Sequence, residues 1–143
     1  MIKIVALEVE HILAVQLQQA QAYAIPIVTA EHAHALVQAN GVGWAALDDD
    51  GNATACAGII EMHQQRGMAW ALISEAALKQ FKTLHRVISA VVRSAPWKRI
   101  EMTVDSQHTA GIAWAERLGF KREGLMTAYT PDGRDCFLYA KVK

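Results

Sequence analysis

The chain has few of the residues that mark specialised chemistry. It holds two cysteines and three prolines, and its charges cancel, with 14 Lys and Arg against 14 Asp and Glu in 143 residues. Cys56 and Cys136 each sit in an apolar stretch without metal-ligand spacing, so they read as core thiols of a reducing compartment rather than a disulfide framework. Without a cationic excess there is little to neutralise a nucleic-acid backbone, which disfavours a dedicated nucleic-acid binder. The longest uncharged run, Ile12 to Ala30, is interrupted by Gln16, Gln18, Gln19, Gln21 and Pro26, too polar to span a bilayer. No leader pattern precedes the first alternating segment, so the expectation is a soluble, cytoplasmic protein. Neither an internal repeat nor a low-complexity linker divides the chain, and residues 1–143 read as one domain.

Apolar residues make up 52% of the sequence, enough for a sizeable core. Alternation predicts a strand over Ile2–Leu7, and helix-forming residues predict a helix from Glu10 to Ala24, ended by Pro26. Thr29 is placed to cap a short helix, Ala30 to Ala39, closed by Asn40-Gly41. Strands follow at Gly43–Leu47, Ala53–Met62 and Met68–Ile73, joined by turns at Asp48–Asn52 and Gln64–Gly67. Connections this short make antiparallel hairpins. The Asp48–Asn52 turn lacks the downstream glutamate of a calcium loop, and His32 and His34, two apart on a helix, do not face one metal. Leu84, Val87, Ile88, Val91 and Val92 recur at helical spacing, predicting a long helix over Glu75–Ser94 that Pro96 stops. A strand at Arg99–Val104 then completes a right-handed parallel crossover. A helix at Thr109–Leu118, ended by Gly119, and two strands, Gly124–Tyr129 and Arg134–Val142, close the chain. Trp44, Trp70 and Trp97 read as core or rim aromatics, with acyl-pocket lining as a second reading for Trp70.

The run from His108 through Trp114, Ala115 and Leu118 to Gly119-Phe120, continued by Lys121 to Gly124 and the hairpin to Tyr139, resembles the signature of the GNAT N-acetyltransferase superfamily. The narrower likeness is to short, divergent GNAT-like proteins encoded by bacteriophages. The resemblance implies an α/β (α+β) fold: a mixed central sheet with antiparallel N-terminal strands, a splayed parallel fourth and fifth strand pair, and flanking helices. It also implies an acetyl-CoA-dependent N-acyltransferase that moves an acetyl group to a small-molecule or protein amine by direct attack on the thioester. Homodimers through the closing strands are common in that superfamily. Backbone groups of Leu72, Ile73 and Ser74 would meet the pantetheine arm, Lys79, Gln80, Phe81, Lys82 and Thr83 the pyrophosphate, and His108 a polar group of the cofactor.

The sequence departs from that pattern at two places. The segment Ser74–Thr83 contains no glycine, so its backbone approaches a phosphate less freely; Lys79 and Lys82 either supply charge from their side chains or are simply solvated. Ala115 stands where the signature carries a tyrosine able to protonate a departing thiolate. Candidate bases are Glu61 and His63 at the end of the third strand, and Glu75 and His85 beside the cofactor segment, each with a plain surface role as its alternative. These departures keep a second reading open: a non-enzymatic binding or structural protein of the same fold. A third reading puts another nucleotide or an acyl carrier in the cleft.

Overall fold

The computed structural model describes residues 2–143. The elements are β1 (Lys3–Ala6), α1 (Val9–Ala14), a 3₁₀ segment (Gln19–Ala24), α2 (Ala30–Gln38), β2 (Gly41–Leu47), β3 (Ala53–His63), β4 (Arg66–Ile73), α3 (Glu75–Leu78), α4 (Phe81–Ser94), β5 (Arg99–Asp105), α5 (Thr109–Arg117), β6 (Lys121–Met126) and β7 (Cys136–Val142). The strands form one seven-stranded sheet in the order β1-β2-β3-β4-β5-β7-β6. Every neighbouring pair is antiparallel except β4 and β5.

Period-two alternation sorts the central strands between two faces. Cys56 and Leu72 pack toward α1 and α2 with Ile12 and Ala33, while Ala55, Ala57 and Ile73 pack toward α4 with Leu84. A further cluster joins Val92 of α4 and Ala115 of α5 to Trp97, Ile100, Phe120 and Tyr139. Helices therefore cover both faces, the three-layer solution for a sheet buried on either side. Burial pushes the Cys56 thiol up to about 12, so it is a neutral packing group. No helix of the described residues is long and apolar enough to cross a membrane.

Several boundaries differ from the sequence reading. The helix expected over Glu10–Ala24 ends at Ala14; Val15 is extended, Leu17 forms an antiparallel bridge with Ser74, and the 3₁₀ segment follows. Helix propensity there is overridden because Leu17 and Gln18 gain partners at the end of β4. The helix expected over Glu75–Ser94 is two helices, broken where Lys79 caps α3 and Gln80 leaves helical geometry (φ −115°, ψ 36°). Ser74 Oγ accepts from the Ala77 N–H at 3.1 Å and caps the N-terminus of α3 at the foot of β4. Arg66 and Gly67, expected in a turn, open β4 instead, and the closing strands run Lys121–Met126 and Cys136–Val142.

The parallel pair is short. Arg66, Gly67 and Met68 stand opposite Arg99, Ile100 and Glu101, and beyond that β4 and β5 run on to Ile73 and Asp105 without pairing. The paired end is held by charge and close packing. Glu101, 6% exposed, accepts from Arg66 Nη2 at 2.8 Å and is also paired to Arg99, which reaches Glu123. These partners hold the Glu101 carboxyl down to about 2. Gly67 leaves room for Trp97: a Cβ there would lie 3.2 Å from the indole and 2.6 Å from an Ile59 methyl.

Candidate active site in the cleft between the splayed strands

Beyond Met68 the two strands border a cavity of about 460 Å³. Ala69, Trp70 and Ala71 line it from β4, and Met102, Thr103 and Val104 from β5; Ile88 and Val91 of α4 and Trp114 of α5 lie beneath. An apolar crevice at the carboxyl ends of strands, with a few polar groups at its rim, is a usual place for a ligand. Trp70 lies against Gly58, where a Cβ would come within 2.9 Å of the indole nitrogen. Trp114 stands edge-on to Phe81, with ring centres 5.2 Å apart, and donates to His85 Nδ1 at 3.1 Å.

The rim carries the polar groups. Asp105, at the end of β5 and 3% exposed, accepts from the Gln107 N–H at 2.8 Å and is paired with Arg134. The Arg134 guanidinium holds the Asp105 carboxyl below its ordinary range. His108 follows at the N-terminus of α5, its ring folded over Gly111, where a Cβ would lie 2.6 Å from Nδ1. Desolvation lowers the His108 pKa, opposed by the nearby Asp105 charge, so the imidazole is biased toward its neutral form. Tyr23 also lines the cavity, its phenol pushed up by burial and by the nearby Cys136 and Asp105.

Between these groups the N-terminal segment crosses the edge of β4. The Gln18 N–H donates to the Ile73 carbonyl at 2.8 Å. Gln21 Nε2 donates to the Ala71 carbonyl at 2.8 Å, and Gln21 Oε1 accepts from the Ile73 N–H at 2.9 Å. Gln18 Nε2 braces the same Oε1 at 3.3 Å.

The sequence-derived residues are spread over several places. Leu72 faces β3 opposite Cys56, and Ser74 is committed to Thr54 and Ala77, which leaves Ile73 as the one of these three whose backbone faces the cleft, where Gln18 and Gln21 engage it. Lys79 to Thr83 span the start of α4: Thr83 and Leu84 donate to the Gln80 carbonyl, Gln80 provides no side-chain cap, and exposed Lys79 and Lys82 flank the turn. Glu61 and His63 lie at the paired end, Glu61 accepting from Trp97 Nε1 at 3.0 Å and His63 Nδ1 from the Gln65 N–H at 3.2 Å. Glu75 accepts from the Gln19 N–H at 3.3 Å, and His85 backs Trp114. Gln18, Gln21, Tyr23 and Asp105 were not singled out from the sequence. The glutamine-rich interruption of an otherwise apolar run, Gln16 to Gln21, was the one available signal.

No protein-family model matches the sequence, and no curated protein matches it. Solved structures do match in fold. A candidate phosphinothricin N-acetyltransferase superposes with a TM-score of 0.77 at 15% identity, covering 99% of this chain and 98% of that one. A candidate acetyltransferase from Acinetobacter baylyi ADP1 gives 0.74 at 17% identity over 100% and 93% of the two chains. An acetyltransferase of the GNAT family from Streptococcus pneumoniae gives 0.70 at 14% identity over 100% of each. The fold is that of the GNAT acetyltransferases. At these identities the likeness is one of fold, and the site must carry any reading of function.

Tested against acetyl-CoA, which the sequence resemblance implies, the residues present fit in part. The start of α4 offers first-turn N–H groups at Phe81 and Lys82, without a side-chain cap and between two lysines, which suits a pyrophosphate. The apolar cleft suits a thioester arm. The β4 edge, where such an arm would hydrogen-bond, is taken by Gln18 and Gln21.

Proposed function

We propose that the protein is an acyl-CoA-dependent N-acyltransferase, with acetyl the acyl group and an amine the acceptor. The observation that carries this reading is the parallel β4–β5 pair that parts after Met68 and Glu101 over an apolar cavity. Bound there, acetyl-CoA would supply an activated acyl carbon. The chain's own part is to orient the arm along β4, exclude water with Trp70, Trp114 and Val91, and manage two protons. Attack forms the C–N bond and breaks the C–S bond; the amine loses a proton and the departing thiolate gains one. His108, at the N-terminus of α5 on the cavity rim, accepts the first proton, and Tyr23, a phenol lining the same cavity, donates the second. This division leaves Ala115, fully buried under the cavity wall, without a chemical role.

Thermal unfolding with acetyl-CoA tests the reading. Ligand at a hundredfold excess over Kd stabilises by about 2.7 kcal/mol. No rise in Tm at millimolar acetyl-CoA would favour the second reading, a binding module of the same fold. That reading draws on Ala115 at the position of the usual proton donor and on the occupied β4 edge.

A further inference from the structure

Gln21 makes a peptide-like pair with a strand edge. Its carboxamide gives a donor to Ala71 and an acceptor to Ile73, the two groups a neighbouring strand would use, and it does so where β5 has turned away. The orientation is fixed from both sides: Oε1 meets the Ile73 N–H and Gln18 Nε2, so reversing the amide would set donors against donors. Gln18 is 7% exposed and anchored by its own backbone to Ile73, so the segment is seated while the Gln21 side chain alone bridges to Ala71.

We propose that Gln21 is a built-in competitor for the β4 edge and thereby a specificity-determining residue of the cleft. The ligand it selects is an extended arm bearing amides. The inference rests on the acyl-CoA reading for the identity of that ligand. Rotating Gln21 away strands a carbonyl at Ala71 and an N–H at Ile73, and a strand-edge group left without a partner costs more than a formed bond contributes. An arm that replaces both bonds restores the balance. A purely alkyl arm leaves both groups unpaired and is held out. Opening needs only side-chain rotation, since the Gln18 backbone contact can persist.

Calorimetry with CoA on the wild-type chain, Gln21→Ala and Gln21→Met tests this, together with hydrogen exchange at the Ile73 amide. Removing the competitor should tighten CoA binding about tenfold in both variants, the worth of one to two neutral hydrogen bonds. The Ile73 N–H should exchange faster in the free variants and slow again when CoA is added. Gln21→Met keeps the side-chain volume, so agreement between the variants separates lost hydrogen bonds from lost packing. Equal or weaker CoA binding in both variants, with binding to the wild type intact, overturns the role of Gln21 and leaves the acyl-CoA reading standing. CoA binding to none of the three proteins removes that reading and this proposal with it.

Discussion

His108 shows how a single side chain acquires a chemical bias from its seat. Gly111, one turn on, has no Cβ, and the imidazole occupies the space one would fill. Burial there penalises the charged ring, while Asp105 pulls the other way. The His108 NMR titration midpoint should therefore lie below that of an ordinary histidine, and Asp105→Asn should move it lower still. An upward move on losing the Asp105 charge would overturn the assignment. Because the folded-state pKa is depressed, the stability linked to neutral His108 is full above the ordinary histidine range and declines as pH falls through it. Gly111→Ala brings a methyl to 2.6 Å from Nδ1, so the ring must move. Acyl transfer should then fall by about tenfold or more, since misplacing a proton-transfer group forfeits part of a 10²–10⁴-fold contribution. Circular dichroism of that variant should stay unchanged, and retained activity would show that His108 is not the base.

Among the elements, β4 and β5 do the most with the fewest bonds. Their shared end depends on Glu101, a nearly buried carboxylate held by Arg66 and Arg99. Glu101→Gln leaves two part-exposed guanidinium groups beside a neutral amide, Arg99 still paired with Glu123, and should cost about 1 kcal/mol, read as a lower urea midpoint. The depressed carboxyl, at about 2, sets the sign with acid: its contribution is full above the ordinary glutamate range and disappears as pH falls toward 2. The wild type should thus lose stability across that window and the Gln variant should lose less. The element order and the parallel crossover were legible because the apolar alternation of Ile100, Met102 and Val104 and the apolar stripe of Leu84 to Val92 are periodic signals. The break at Lys79–Gln80 was not legible, since neither residue interrupts a helix by propensity. Nor could periodicity show that Gln18 and Gln21 would leave a helix for the edge of β4, because that gain exists only once β5 has parted from it.

Taken as a whole, the acyl-CoA reading draws on two kinds of contact from different elements. The strand edge at Ala71 and Ile73 offers neutral peptide groups, and the start of α4 offers first-turn N–H groups with Lys79 and Lys82. On that reading, the absence of glycine between Ser74 and Thr83 would shift phosphate recognition from close backbone approach toward side-chain charge. Charge at the start of α4 is exposed, so its contribution is screened by salt in a way the strand-edge bonds are not. The double variant Lys79→Ala, Lys82→Ala should therefore weaken CoA by about tenfold at low ionic strength, with the loss shrinking as salt rises. Pantetheine, which has the amide arm and no pyrophosphate, should bind the double variant and the wild type alike. The Gln21 variants should show the reverse pattern, gaining affinity for CoA and pantetheine together and independently of salt. Equal losses for both ligands in the lysine variant would mean that α4 shapes the cleft instead of reading phosphate, and the two kinds of contact would have to be treated as one site.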